Sequence, residues 1–239
     1  MKDNKKALGV IGGMGPLATQ LFYKMVIEKT DAHADQEHIN MVILNHATMP
    51  DRTEAILNDK LGELMHRLED DAAVLEKFGA DYLVIPCNTC HVLMDHLQSV
   101  THIPIINMIK ETVKKIVSLY GKGARVGIMA TDGTITWGLY QKECQVNGLI
   151  PVIPNEENQK LVMKIIYDGV KDGGHVDYAD FESIEKQFRD EKCDCVILAC
   201  TELSCFKEEY DLPDYYVDAM EAMAEAAVLM CDKNLRSDK

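Results

Sequence analysis

No apolar run in this 239-residue chain approaches the ~20 residues that would cross a bilayer, so a membrane-spanning role is excluded as an expectation. Positive charge is scarce: 25 Lys and Arg against 39 Asp and Glu leave a net charge of −14. Phosphate backbones and anionic lipid repel such a chain unless its cations are concentrated somewhere. Only "KDNKK" at 2–6 and "VKK" at 113–115 cluster, so neither nucleic acid nor a membrane surface is an expected partner. An anionic substrate would have to be captured by a few placed cations. Low-complexity tracts and obvious linkers are missing too. The opening "MKDNKKALGVIGGMG" is charged, and its short apolar run is broken by glycines. It reads as a first strand entering a turn rather than a secretion signal, which predicts a cytoplasmic protein.

Cysteine, by contrast, is plentiful. Eight residues without a secretion signal imply reduced thiols in a reducing compartment. Cys144, Cys193, Cys195, Cys205 and Cys231 read as small buried residues. Cys193 and Cys195 share a face, but no His or Cys at ligand spacing follows, so no metal site is expected. The remaining stretch of interest is "PCNTCH" at 86–91. It fits C-x-x-C-H, a haem-attachment pattern, and its first cysteine pair fits a dithiol redox site. Covalent haem belongs to exported proteins, which sets that reading aside; a Cys87–Cys90 dithiol stays as a secondary one.

Hydrophobic residues at 47% and charged residues at 27% are ordinary for a globular protein. Short apolar runs alternate with helical patterns, which predicts a parallel α/β fold. Strands are expected at 6–12, 39–45, 81–86, 103–106, 124–130, 150–153 and 194–199. Apolar character on both faces suits strands covered on each side by helices. Helices are expected at 16–29, 60–78, 89–98, 108–120, 133–147, 156–170, 177–190 and 214–232. Leu61, Leu64, Leu68, Ala72 and Leu75 fall on one helical face. A weak twofold repeat runs through the chain. "DYLVIPCNTCH" (81–91) parallels "DCVILACTELS" (194–204), and "ALGVIGGMGPLAT" (7–19) parallels "RVGIMATDGTITW" (125–137). The fold class expected is α/β, as two pseudo-symmetric parallel-sheet half-domains with the active site in the cleft between them. Residues 1–100 would form one half, with a C-terminal helical segment 208–239 packing back on it, and 101–207 the other.

Open parallel sheets bind ligands at the carboxyl ends of their strands. Cys87 and Cys200 both fall there, one per half. One thiol from either side of a cleft suits racemisation, which removes a proton from one face of a carbon and returns one to the other. Cysteine serves either role, because a helix N-terminus or a neighbouring charge moves its pKa. "GMGPLA" at 13–18 fits the dinucleotide fingerprint, but the next strand ends in Asn45 and His46 rather than an acid, so nicotinamide binding is discounted.

"GGMGPLAT", "PDRT" at 50–53, "PCNTCH", "KIIYDGVKDG" at 164–173 and "ACTEL" at 199–203 together resemble the aspartate/glutamate racemase family in order and over nearly the whole chain. The resemblance implies a two-domain pseudo-symmetric fold, commonly dimeric, that racemises an acidic amino acid with paired cysteines and without pyridoxal phosphate or any other cofactor. It makes Cys87 and Cys200 the catalytic acid/bases. Asn88, Thr89 and the backbone at Cys90 would hold the substrate's α-carboxylate and ammonium, with Thr131 and Thr201 doing so from the other half. Arg52 and Lys164 would take the distal carboxylate, Arg52 as a planar fork, and Met14 would line the cleft. Asp51, His91 and Glu202 are neighbours able to tune a thiol, with packing and hydrogen bonding at the start of a helix the favoured reading for His91. Two positions depart from the family: Cys90 stands where alanine is usual, and Ala199 where glycine is usual. An isomerase or decarboxylase of small dicarboxylates, a non-catalytic amino-acid sensor and, more distantly, a dehydrogenase are the alternatives.

Overall fold

A computed structural model of the chain describes residues 5–237; Lys2 of the basic N-terminal cluster and the last residues of the 208–239 segment lie outside them. Among the described residues, seven strands form two all-parallel sheets. The first orders β2 (Asn40–Asn45), β1 (Ala7–Gly12) and β3 (Tyr82–Val84). The second orders β5 (Ile150–Val152), β4 (Arg125–Ala130), β6 (Cys195–Ala199) and β7 (Tyr216–Asp218). β6 is buried at every residue, and β1 and β4 at all but their first; helices on both faces make near-continuous apolar strands necessary. Each unit's first strand thus lies between its second and third.

The fourth position differs. Over 103–106 the expected strand is reduced to one parallel bridge, Leu83 with Ile105. Pro104 has no N–H to give a ladder; its carbonyl accepts from Leu83, and Ile106 N–H donates back to the Leu83 carbonyl. Beside β6 the same place is held by β7, inside a stretch expected to be helical from 214.

Helix α1 (Pro16–Lys29) begins with proline at its start, where the missing N–H costs nothing. After the short α2 (Arg52–Leu57) comes α3 (Leu61–Phe78), ended by Gly79 at φ 97°. Leu64, Leu68, Ala72 and Leu75 of α3 are buried against Ile11, Met14, Leu83 and Ile85, each leucine contributing about 1.5–3 kcal/mol. The expected helix at 89–98 starts as a 3₁₀ turn, Thr89–Leu93, and only then becomes α4 (Met94–Val100). α5 is Met108–Tyr120. The expected 133–147 helix is two, α6 (Asp132–Trp137) and α7 (Leu139–Val146), separated by Gly138 at φ 74°. α8 (Glu156–Lys164) continues as a π-helical segment, Ile165–Lys171. α9 (Tyr178–Asp190), α10 (Thr201–Tyr210) and α11 (Ala219–Met230) complete the chain. Phe181, Phe188, Phe206 and Tyr216 centre the second core, with Ile165, Ile166, Val196 and Leu198.

The chain divides into two compact units, one running to Met108 and resuming at Met220, the other Ile109–Ala219. α11 is therefore part of the first unit. There Lys29 of α1 pairs with Glu221 and, at 3.3 Å, with Glu225. The backbone N–H of Arg236 also donates to the Lys29 carbonyl at 2.8 Å. No helix among the described residues is long and apolar enough to cross a membrane.

Candidate functional site

In the first unit, β1 runs into the turn Gly12–Gly15. Gly13 has φ +91°, and a Cβ there would sit 2.4 Å from the backbone of His46, so only glycine lets this turn close against the end of β2. Its N–H donates to Thr19 Oγ1 at 2.8 Å, and that hydroxyl donates to the Gly15 carbonyl at 2.9 Å. Met14 is thereby held in the core. Asp51 caps α2, accepting from the Glu54 N–H at 2.9 Å. This fixes Arg52 at the first helical position, only 9% exposed. Its guanidinium donates to the carbonyls of Pro50 at 3.1 Å and Met14 at 3.5 Å.

Cys87, Asn88, Thr89, Cys90 and His91 follow β3, all buried. The Cys90 thiol donates to Met14 Sδ at 3.4 Å, with the Cys87 side chain as a further neighbour. The neighbouring Cys87 side chain, burial and the Cys87 charge hold the Cys90 thiol well above the usual cysteine range, with Arg52 opposing, so Cys90 keeps its proton. His91 Nδ1 donates to the Cys87 carbonyl at 2.9 Å, and Nε2 accepts from the Met108 N–H at 3.1 Å. Both ring nitrogens are therefore engaged by backbone, which fixes a neutral tautomer, and burial lowers the imidazole to about 4. Met14, Asp51, Arg52 and residues 87–91 form one connected group.

In the second unit, Ala130 of β4 is in register with Ala199 of β6. Thr131 and Cys200 are the next residue on each strand. Thr131 caps α6, accepting from the Thr134 N–H at 3.3 Å. Cys200 occupies the position before α10 and donates its S–H to Glu202 Oε2 at 2.9 Å; the Thr201 hydroxyl donates to the same oxygen at 3.3 Å. Burial, then the charge of Glu202, hold the Cys200 thiol well above its usual range, and Lys171 opposes them. Lys171 Nζ is 3.9 Å from Glu202 Oε1 and 4.0 Å above the Tyr167 ring.

Lys164 stands apart from this group. Its side chain is 53% exposed and pairs with Asp180 at 2.7 Å, on the rim of a cavity of about 430 Å³ that Asp132, Gln159, Met163 and Tyr167 also line. Lys171, seven residues on in the same motif, has the contact with the thiol's carboxylate and was missed. Straight α-helical geometry would put the two lysines on one face; the π-helical path from Ile165 separates them. Among the described residues no group of three or more His, Cys, Asp or Glu is arranged to hold a metal ion.

Residues 11–227 match the family model described as Asp/Glu/Hydantoin racemase. The broad specificity amino-acid racemase RacX of Bacillus subtilis is 27% identical over 227 residues, which cover 92% of this chain and 96% of that one. Among solved structures, the Picrophilus torridus aspartate racemase is 29% identical with a TM-score of 0.84, covering 97% of this chain and 96% of its own. Glutamate racemase RacE1 of Bacillus anthracis, 16% identical with a TM-score of 0.67 over 97% and 83% of the two chains, shares the fold.

Proposed function

The chain belongs to the Asp/Glu/hydantoin racemase family, and we propose that it racemises an acidic amino acid, aspartate or glutamate, by proton transfer between the substrate α-carbon and the thiols of Cys87 and Cys200. One observation carries this reading: the two thiols follow equivalent strands. Cys87 follows β3 and Cys200 follows β6, each the neighbour of its unit's first strand. As thiolate, Cys87 takes the α-proton, and Cys200 returns one to the opposite face; the reverse reaction exchanges the roles. Cys200, buried beside Glu202, is the partner that holds its proton at rest, and Glu202 is within reach to take it.

Asn88, Thr89, Thr131, Thr201 and the amide of residue 90 hold the α-carboxylate and ammonium, and the Arg52 fork takes the distal carboxylate. The positive charge and amides close to the α-carboxylate stabilise the carbanion-like transition state. Proton transfer of this kind calls for no pyridoxal group. The protein is taken to act as a homodimer, which sedimentation would check.

The test uses enantiopure aspartate and glutamate in heavy water without added cofactor. The product enantiomer should carry deuterium at Cα with no carbon dioxide released; carbon dioxide would point to a decarboxylase, and binding without turnover to a sensor. Cys87→Ala and Cys200→Ala should each lower kcat/KM by about 10²–10⁴-fold or more. A single replacement that left turnover intact would defeat the two-thiol mechanism.

A second reading, a broader substrate range, is favoured by Lys164. Its ammonium is engaged by Asp180, which leaves Arg52 as the main anchor for a distal carboxylate. Turnover of neutral amino acids in the same screen would support it; turnover confined to aspartate and glutamate would not.

A further inference from the structure

Proton transfer from this side of the substrate requires one sulfur, yet two are in contact. We propose that Cys87 and Cys90 are a modification site: a hydroperoxide converts them to a reversible disulfide that switches the enzyme off and spares Cys87 from irreversible oxidation. The inference rests on the reading of Cys87 as the reactive thiol.

The geometry supplies what such a bond needs. Residues 88 and 89 turn the chain directly into the 3₁₀ segment, with Asn88 at φ −58°, ψ −46° and the His91 N–H donating to the Asn88 carbonyl at 3.0 Å. Helical backbone at residues 88 and 89 puts the Cα atoms of Cys87 and Cys90 within the ~4.4–6.8 Å that a disulfide spans, and the two side chains are neighbours. Closing that contact to the ~2 Å of an S–S bond needs side-chain rotation rather than movement of strands. His91, by holding the Cys87 carbonyl, keeps the first cysteine's backbone in place while this happens. Any small molecule that reaches the sulfur of Cys87 as substrate does can be followed there by a peroxide of similar or smaller size.

The step balances as follows. The Cys87 thiolate attacks one oxygen of hydrogen peroxide; the O–O bond breaks, a sulfenic acid forms on Cys87, and hydroxide leaves to be protonated as water. Cys90 sulfur then attacks the Cys87 sulfur. The S–O bond breaks as the S–S bond forms, and the departing hydroxyl takes the Cys90 proton and leaves as a second water. The two thiols lose two electrons and the peroxide gains them. Without a thiol at position 90 the sulfenic acid on Cys87 would persist and climb to sulfinic acid, which reductant does not reverse. The other buried thiols make internal controls. Cys144 and Cys195 are pushed by burial to about 12 and carry too little thiolate to compete.

The experiment treats the whole protein with hydrogen peroxide, blocks remaining thiols, and maps masses and activity before and after dithiothreitol. The tryptic peptide spanning 78–110 contains Cys87 and Cys90 and no other cysteine. It should lose the mass of two hydrogens, and racemase activity should vanish and return with the thiols. In Cys90→Ala and Cys90→Ser the same peptide should instead gain the mass of two oxygens. Activity, scored against each variant's own untreated level, should then not return. Oxygen added at Cys87 while Cys90 stays reduced in the parent protein, or full recovery in both variants, would overturn the proposal. The bridge is read by mass whether or not the protein racemises anything, so its absence is distinguishable from a failure of the proposed activity.

Discussion

Cys87 faces a thiol and Cys200 faces a carboxylate, so the two sulfurs are tuned by different neighbours. Lys171 is the counterweight on the second side: its ammonium lowers a Cys200 pKa that burial and Glu202 raise. Lys171→Met should move the ionisation belonging to Cys200 in the kcat/KM profile to higher pH. Mirror-image substrates have equal free energy, so the shifted profile should be the same from either enantiomer; an unmoved profile would count against the role. His91 acts on stability instead. Its folded-state pKa, lowered from 6.5 to about 4, means the unfolded chain binds the extra proton first as pH falls. Stability present above pH 6.5 should therefore be lost progressively towards pH 4, by about 3 kcal/mol. Urea midpoints across that range should show the slope, and His91→Asn should flatten it. The equivalent placement of Cys87 and Cys200 after their strands was legible because the chain repeats its own strand–Cys–Thr pattern, and the contact of Glu202 with Cys200 because the two are near neighbours in sequence. Lys171 was not legible, since its position depends on a π-helical turn that side-chain spacing does not announce.

Among elements, the long periodic ones matched expectation, α1 and α3 nearly to the residue, because an apolar stripe and a clear stop coincide. Errors fall where a local feature overrides periodicity. Gly138 is the clearest case. The apolar pattern continues across it, but its left-handed backbone ends α6, its N–H donating to the Thr134 and Ile135 carbonyls at 3.2 and 3.1 Å, and it starts α7 in a new direction. Gly138→Ala should cost about 1–2 kcal/mol in urea denaturation, because a side chain disfavours φ 74°; a neutral or stabilising result would mean that the bend relaxes. β7 was hidden for another reason. Its three residues are strand only because β6 offers a parallel partner, Val196 with Tyr216 through Leu198 with Asp218, and such pairing is not local information.

For the molecule as a whole, the two units are not consecutive halves of the chain. The first closes only with α11, whose Ala219, Met220, Met223, Ala224, Ala227 and Val228 are fully buried. A chain ended after Asp218 should lose cooperative unfolding of the first unit and bind apolar dyes, while the intact protein should not. Retained cooperativity would show that α1 and α3 suffice. The return of the C-terminal segment to the first half was an expectation from the repeat, which ends before that segment, but strand order and pairing were not read from the sequence, because parallel pairing joins residues far apart in the chain.

That closing order also sets a timetable for the chain's own synthesis. Residues 5–108 leave the ribosome long before the helix that completes their core, and the whole intervening unit is made in the meantime. The nascent first unit must wait with an apolar face uncovered, which leaves it open to aggregation until α11 emerges.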